Sequence, residues 1–216
     1  MKLTHDSGLG PSNNESIFLL HGLAAPRLVM SRLTTYLNHR GYLARNWGYA
    51  SLRSSIQLHA TALRRDLIEL DRDPRVESIH LVTHSMGSII ARCALLDGTP
   101  DKLSRIVMLG PPNHGSHVAR ALSRPLGWFC PPLRELSDVS DSFGNRLNEP
   151  TGLEIGVIAA AEDLVVPLDS THLQCQREHI VLPGHHGVLP WRRDTAECVH
   201  RFLETGTFTT SPANVS

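Results

Sequence analysis

The chain contains the segment Ser78-Ile79-His80-Leu81-Val82-Thr83-His84-Ser85-Met86-Gly87-Ser88-Ile89-Ile90, in which an apolar strand changes at once into a helical pattern. Ser85 lies at the change, where a tight turn pushes a side chain out above the carboxyl end of a parallel sheet. Strand and helix pass close together there, so the positions two before and two after the serine should be small. Thr83 and Gly87 occupy them. Ser85 is therefore a candidate nucleophile, and the alternative is an ordinary helix N-cap, for which serine is also preferred.

Apolar runs of strand length alternate along the chain with residues at helical spacing, which is typical of an α/β fold. We predict a mostly parallel sheet of six strands with helices on both faces. The strands are predicted at Ser16–Leu20, Tyr42–Trp47, Ser78–Thr83, Arg105–Leu109, Glu154–Ala159 and His179–Leu182. The helices are predicted near Leu28–Asn38, Ser55–Leu70, Met86–Leu96, His117–Leu122 and Asp194–Leu203.

The length of 216 residues suits one domain, so residues 1–216 are predicted to form a single α/β unit. Flexible tails are expected over residues 1–15 and 209–216. The stretch 123–150 has no clear periodicity and several prolines. A loop this long in a compact domain is usually functional or mobile, so we expect either a small flap over the site or a surface loop.

The composition excludes several classes of function. Lysine plus arginine number 21, as do aspartate plus glutamate, so no basic stripe indicates a nucleic-acid partner. The first 15 residues lack the apolar stretch of a secretory signal, and no integral membrane segment is visible, so a cytoplasmic protein is expected. The four cysteines and 13 histidines form no metal-binding pattern, so no metal is predicted. The cysteines are expected to be free thiols unless the chain is exported.

A serine hydroxyl needs a histidine to take its proton and a carboxylate to orient that histidine. On this kind of sheet both should follow later strands, in the order serine, acid, histidine. Asp163 lies just after the fifth predicted strand, and a histidine pair, His185 and His186, lies just after the sixth. The three residue types in the required order predict a catalytic triad.

The tetrahedral intermediate of acyl transfer needs backbone N–H donors for its oxyanion. One donor is predicted at Met86, the residue after the serine and the start of a helix. The other is predicted at Leu23, in the loop after the first strand, where His21 is expected to brace the loop. Because side chains alternate along a strand, His84 is expected to point away from Ser85 and to be buried and hydrogen-bonded.

These motifs together resemble the α/β-hydrolases of the lipase and esterase type, in a bacterial lipase-like branch. The resemblance covers nearly the whole chain, and the stretches that carry it are Phe18–Leu23, Val82–Gly87, Val107–Ser116 and Arg201–Phe208. It implies the sheet order 2-1-3-4-5-6, with Ser85 as nucleophile, Asp163 as acid and a histidine of Gly184–Gly187 as base. It also implies that no cofactor is required and that the substrate is a small-molecule acyl ester.

Two readings of the histidine pair remain open. The pattern of the hydrolases that the chain resembles, counted forward from Val181-Leu182-Pro183 and back from Phe202-Leu203, implies His186, whereas the local string Gly-His-x-Gly favours His185. We predict His186 as the base, with His185 as the alternative.

The sequence has no insertion of helical length that would form a large lid, which favours an open site and soluble esters. Trp128 and Phe129 are candidate substrate-binding walls of an acyl pocket, although packing is an equal alternative. A thioesterase, amidase or lipid deacylase would use the same triad, and a non-catalytic ligand-binding member of the fold is the other alternative. The oligomeric state is left open.

Overall fold

The computed structural model describes residues 14–138 and 143–209. Six strands form one sheet in the order β2-β1-β3-β4-β5-β6, as expected from the resemblance, and every pair of neighbours is parallel. The strands are β1 (Glu15–Leu20), β2 (Leu43–Trp47), β3 (Ser78–His84), β4 (Leu103–Leu109), β5 (Glu154–Ala160) and β6 (Glu178–Leu182). Most of the two tails predicted at residues 1–15 and 209–216 lies outside the described residues.

Helices connect the strands and cover both faces of the sheet. They are α1 (Ser31–His39), α2 (Ile56–Arg72), α3 (Met86–Ala94), α4 (His117–Leu126), α5 (Pro132–Glu135) and α6 (Arg193–Thr205). Short 3-10 turns occur at Arg27–Met30, Gly144–Arg146, Leu168–Thr171 and His186–Trp191.

The strands alternate their apolar side chains between two cores, as strands buried on both faces do. In β1, Phe18 and Leu20 pack with α2 and α3, whereas Ile17 and Leu19 pack with α1 and α6. These two layers enclose the sheet between helices, and because the strands are parallel their carboxyl ends meet at one edge. A site built from loops at that edge is the arrangement expected for an open parallel sheet.

The segment 123–150 contains more structure than its sequence indicates. Helix α4 continues to Leu126 with Pro125 in its last turn, and the four-residue α5 follows with Pro132 at its start. Pro132 suits that position because the first helical N–H has no partner within the helix. No inserted domain of lid size is evident in the described part of this segment; residues 139–142 of the predicted flap lie outside it.

Candidate active site

Ser85 forms the turn between β3 and α3 and has a backbone conformation that residues other than glycine seldom adopt. Its φ is +52° and its ψ is −122°. Such a conformation costs free energy and persists only when the surroundings enforce it, as happens at functional sites. The N–H of Ser85 donates to the carbonyl of Leu109 at 2.9 Å, which ties the turn to β4. The turn presents the Ser85 side chain to a cavity at the carboxyl edge of the sheet.

The structure explains the residues that lie two positions before and two positions after Ser85. A Cβ added to Gly87 would lie 2.9 Å from the carbonyl oxygens of Leu20 and His21, so only glycine fits where α3 crosses β1. Thr83 occupies the position two residues before Ser85, where a small residue is expected, and its hydroxyl is hydrogen-bonded to that of Ser88 at 2.8 Å in the buried interior. The local fold therefore accommodates a threonine there without leaving its hydroxyl unpaired.

The structure brings His186 and Asp163 together at the same edge. Nδ1 of His186 lies 2.7 Å from Oδ2 of Asp163, and their side chains are only 11% and 3% exposed. A carboxylate accepts this bond from Nδ1–H, which leaves the lone pair of the imidazole on Nε2. His186 lines the same cavity as Ser85.

The electrostatics of Asp163 favour its charged form. Burial alone would raise the pKa of this carboxyl, but the hydrogen bond and charge interaction with His186, and the N–H groups of Val166 and Val165, outweigh burial and lower it. Those two N–H groups donate to Oδ1 at 2.8 and 2.9 Å. The carboxylate is thus fixed by the loop that carries it.

His185 has a different environment. Its side chain is 66% exposed and faces Glu162, with Nδ1 3.0 Å from the Glu162 carbonyl and Nε2 3.5 Å from the carboxylate. The structure therefore brings His186, and not His185, to Asp163. A Cβ added to Gly110, which has a φ of +52°, would lie 3.0 Å from Nδ1 of His186, so the end of β4 is fitted to that ring.

The loop after β1 approaches the serine from the other side. A Cβ added to Gly22 would lie 3.0 Å from Cβ of Ser85, and Leu23 lines the cavity. Nδ1–H of His21 donates to the Gly22 carbonyl at 2.8 Å, as expected for a residue that braces this loop. Met86 is the first residue of α3. The two predicted donors, Leu23 and Met86, therefore lie on the two segments that flank Ser85.

His84 is buried and hydrogen-bonded, as predicted, and its Nε2 donates to the carbonyl of His186 at 3.2 Å. His84 also lines the cavity that Ser85 lines, so it belongs to the site. Ser85 leaves the extended conformation, so strand alternation ends at His84. Burial, followed by the nearby His186, lowers the pKa of His84 to about 3, which keeps the ring neutral.

The cavity has a volume of about 240 Å³, and most of the residues that line it are apolar. Its polar members are Ser85, His84, Ser116 and His186. The apolar lining comes from the loops after β1 and β4, from α4, from the segment at α5 and from the loop that carries Asp163, and consists of Leu23, Ala24, Pro112, Val118, Ala119, Leu122, Leu133, Leu136, Val165 and Val166. Sequence reasoning missed this wall, although the spacing of Val118 and Leu122 on a predicted helix was a usable signal. Larger surface hollows near Arg45 and Asp73 hold no such combination of groups.

Trp128 and Phe129 lie outside the lining of this cavity. Their rings pack against each other with centroids 3.7 Å apart, and the two residues are 71% and 65% exposed. The apolar wall at the serine is made by aliphatic side chains instead. The wall role predicted for the two aromatic residues is therefore not supported by their positions in this structure.

The described ranges, residues 14–138 and 143–209, contain neither a membrane-spanning helix nor a metal-binding cluster. No helix in these ranges is long and apolar enough to cross a membrane. Within the same ranges, no group of three or more histidine, cysteine, aspartate or glutamate side chains is arranged to hold a metal ion. All four cysteines are free thiols.

The structure is similar to solved structures of other proteins. The mature form of Bacillus licheniformis lipase BlEst2 matches with a TM-score of 0.74 at 17% identity, over 93% of this chain and 95% of that chain. Aspergillus fumigatus lipase B matches with a TM-score of 0.72 at 16% identity, over 95% of this chain and 56% of that chain. A structure from a study of carboxylesterases of Nitrososphaera gargenis matches with a TM-score of 0.66 at 14% identity, over 92% and 93%.

No protein-family model and no curated protein matches the sequence. Since the structural likenesses come at identities of 14–17%, they establish a shared fold and leave the activity to be argued from the site itself.

Proposed function

We propose that this chain, which has the α/β-hydrolase fold, hydrolyses carboxylic esters through an acyl-enzyme intermediate on Ser85. The observation that carries the proposal is the buried hydrogen bond between His186 and Asp163 in the cavity lined by the strained Ser85. A binding protein has no need of a serine in a costly conformation beside a histidine whose tautomer is fixed by a carboxylate.

In the first half of the reaction, Oγ of Ser85 attacks the ester carbonyl carbon and Nε2 of His186 takes the hydroxyl proton. Asp163 holds the other ring proton on Nδ1 and stabilises the imidazolium that forms. The carbon–oxygen bond to the alcohol then breaks, and His186 returns the proton to the leaving alkoxide. The products are the free alcohol and an acyl group on Ser85.

In the second half, water replaces the alcohol. His186 takes a proton from the water, the hydroxide attacks the acyl carbon, and the bond to Ser85 Oγ breaks as the proton returns to the serine. Each half passes through a tetrahedral oxyanion, for which the N–H groups of Leu23 and Met86 are the proposed donors. No redox or electrophilic cofactor enters these steps.

The cavity lining supports an acyl group as the part of the substrate that is enclosed. Ten apolar residues line a cavity of about 240 Å³, which is about eight times the volume of a water molecule. A chain of several methylene groups fits such a volume. The solved structures to which this fold is similar include lipases and a carboxylesterase study, which agrees with an ester as substrate.

The test is hydrolysis of p-nitrophenyl esters from acetyl to palmitoyl by the wild type, by Ser85→Ala and by the control Ser104→Ala. Ser104 lies at the amino-terminal end of β4, on the opposite edge of the sheet. We expect Ser85→Ala to lose activity by about 10⁶-fold, which means to background, and the control to keep it. A fluorophosphonate should label the wild type and the control but not Ser85→Ala.

The other outcomes separate the alternatives. A wild type that the fluorophosphonate labels but that hydrolyses no ester would contradict the ester proposal and favour a thioester or amide substrate. A wild type that is neither labelled nor active would contradict catalysis altogether and favour the ligand-binding alternative.

A further inference from the structure

Tyr49, in the segment after β2, contacts the loop that approaches Ser85 in two ways. Its ring is stacked on the imidazole of His21, with centroids 4.2 Å apart and planes inclined by 8°. Its hydroxyl donates a short hydrogen bond to the carbonyl of His21. Both contacts are non-local in the sequence, since 28 positions separate the two residues.

His21 in turn fixes the next peptide group. Nδ1–H of His21 donates to the carbonyl of Gly22 at 2.8 Å. That carbonyl belongs to the same planar peptide unit as the N–H of Leu23, and in a trans peptide the two point in opposite directions. Whatever fixes the Gly22 carbonyl therefore also fixes the direction of the Leu23 N–H.

The loop needs such support. Ala24 has a φ of +56°, an unfavourable value for a residue with a side chain. Gly22 is so close to the nucleophile that an added Cβ would lie 3.0 Å from Cβ of Ser85. A small rotation of the Gly22–Leu23 peptide would thus turn the Leu23 N–H away from any oxyanion formed on Ser85.

Tyr49 is itself held in a defined place. Its ring contacts Trp47 and His59, with centroids 5.3 and 4.8 Å away, and Trp47 is anchored through Nε1–H to Asp66 at 2.8 Å. Burial raises the pKa of the Tyr49 hydroxyl, so the group remains a proton donor over the whole working range of pH.

From this chain of contacts we propose that Tyr49 is a positioning residue of the oxyanion site: it holds His21, and His21 sets the direction of the Leu23 N–H. The inference rests on the proposed function. Tyr49 touches neither the nucleophile nor the acyl cavity, since it is absent from the described lining. Its effect should therefore appear in the stabilisation of the transition state and not in substrate binding.

The test compares the wild type with Tyr49→Phe, which keeps the stacked ring and removes only the hydroxyl. We expect kcat for p-nitrophenyl butyrate to fall about 10- to 50-fold, less than the 10²–10³-fold typical of deleting an oxyanion donor, with KM changed less than about twofold. The affinity for a trifluoromethyl ketone, which forms an oxyanion on the serine, should fall by the same factor as kcat/KM.

The matched control is Tyr36→Phe, which removes a hydroxyl that accepts from Arg40 on the surface of α1. It should leave kcat and the ketone affinity unchanged. A second variant, His21→Phe, retains a ring for stacking but loses the bond to the Gly22 carbonyl. If both residues act through one peptide, the double variant should lose less than the product of the two single losses.

The proposal is overturned if Tyr49→Phe keeps the kcat of the wild type, or if kcat falls while the ketone affinity does not. It is also overturned if the losses of Tyr49→Phe and His21→Phe multiply. These results differ from a failure of the proposed function, in which the wild type itself hydrolyses no ester.

Discussion

The carboxylate of Asp163 binds the imidazole of His186 through one oxygen only, because the other oxygen is occupied. Oδ2 lies 2.7 Å from Nδ1 of His186, whereas Oδ1 accepts the N–H groups of Val165 and Val166. Two donors on Oδ1 determine which atom of the carboxyl faces the histidine. The relationship fixes both the orientation of the ring and the position of its proton.

Replacing Asp163 by asparagine should therefore reverse the tautomer of His186. The two N–H groups will keep the amide oxygen at the position of Oδ1, so the amide nitrogen will face Nδ1 of His186. Nδ1 must then accept, the ring proton moves to Nε2, and Nε2 can no longer take the proton of Ser85. We expect kcat to fall about 10⁴-fold with little change in KM, measured by steady-state ester hydrolysis.

The matched control for Asp163→Asn is Glu162→Gln. Glu162 is the neighbouring acid and lies 3.5 Å from Nε2 of the exposed His185. If His186 is the base, this control keeps most of its activity. A loss of similar size in Glu162→Gln, together with an active Asp163→Asn, would indicate that His185 is the base.

The stability of the fold should decrease as the solution becomes acidic, and His84 should be one cause. Burial lowers its pKa to about 3 from the ordinary 6.5, so between these values the unfolded chain binds a proton that the folded protein does not. The contribution of His84 to the free energy of unfolding is fully present above about pH 6.5 and is lost as the pH falls from there toward about 3. For His84 alone, we expect about 2 kcal/mol less free energy of unfolding at pH 5 than at pH 7.

Urea unfolding at both pH values can isolate this contribution. Burial also lowers the pKa of other histidines, which add to the slope in the same direction, namely His21, His59, His179 and His200. The variant His84→Gln retains a donor for the His186 carbonyl but does not titrate. Its free energy of unfolding should therefore decrease less between pH 7 and pH 5 than that of the wild type. His39→Gln, a change at an exposed histidine in α1, is the control. Equal pH slopes for the wild type and His84→Gln would contradict the assignment.

The crossing of α3 over β1 should tolerate no side chain at Gly87. In Gly87→Ala the new Cβ would lie 2.9 Å from two backbone oxygens, which cannot move away as a flexible side chain could. We expect a loss of about 1–3 kcal/mol in the free energy of unfolding from this overpacking, or no folded protein.

The control for Gly87→Ala is Gly187→Ala, where the added Cβ would meet nothing within 4 Å. The change should alter the free energy of unfolding by less than about 1 kcal/mol. Equal stabilities for Gly87→Ala and the wild type in urea unfolding would show that α3 can shift on the sheet.

Periodicity predicted where the strands lie in the sequence, whereas their order in the sheet was implied by the resemblance. All six strands lie within two residues of their predicted bounds, and the four central strands β1, β3, β4 and β5 are mostly buried, which gives a nearly continuous apolar run in the sequence. Helix α4 runs four residues beyond its predicted end at Leu122, since Pro125 lies in the last turn, where little of the helix follows it. Helix α5 was missed because four residues are too few to show a period.

Part of the candidate site could also be predicted from the sequence, and part of it could not. Ser85, Asp163 and the histidine pair could be located because each follows a strand, and strand ends meet at one edge. The contact between Tyr49 and His21 and the wall at Leu133 could not be predicted. These contacts depend on how loops and short helices pack across the edge, for which the sequence has no repeating pattern.

The acyl wall gives a prediction that separates the observed lining from the aromatic residues chosen from the sequence. Leu122 lines the cavity and is 40% exposed, so we infer that it lies at the mouth of the cavity and that Leu122→Ala should cost little stability. It removes apolar contact only from chains long enough to reach the mouth. We expect kcat/KM for p-nitrophenyl octanoate to fall about fivefold, equivalent to about 1 kcal/mol of lost contact, and that for the acetate to stay unchanged.

Trp128→Ala and Phe129→Ala are the matched variants, since both residues are more exposed than Leu122 and neither lines the cavity. Each should retain the ratio of octanoate to acetate hydrolysis that the wild type shows. If Trp128→Ala or Phe129→Ala lowers that ratio while Leu122→Ala does not, the acyl chain leaves the cavity toward the aromatic pair. In that case the residues chosen from the sequence would be the substrate-binding wall, and the aliphatic lining would be packing alone.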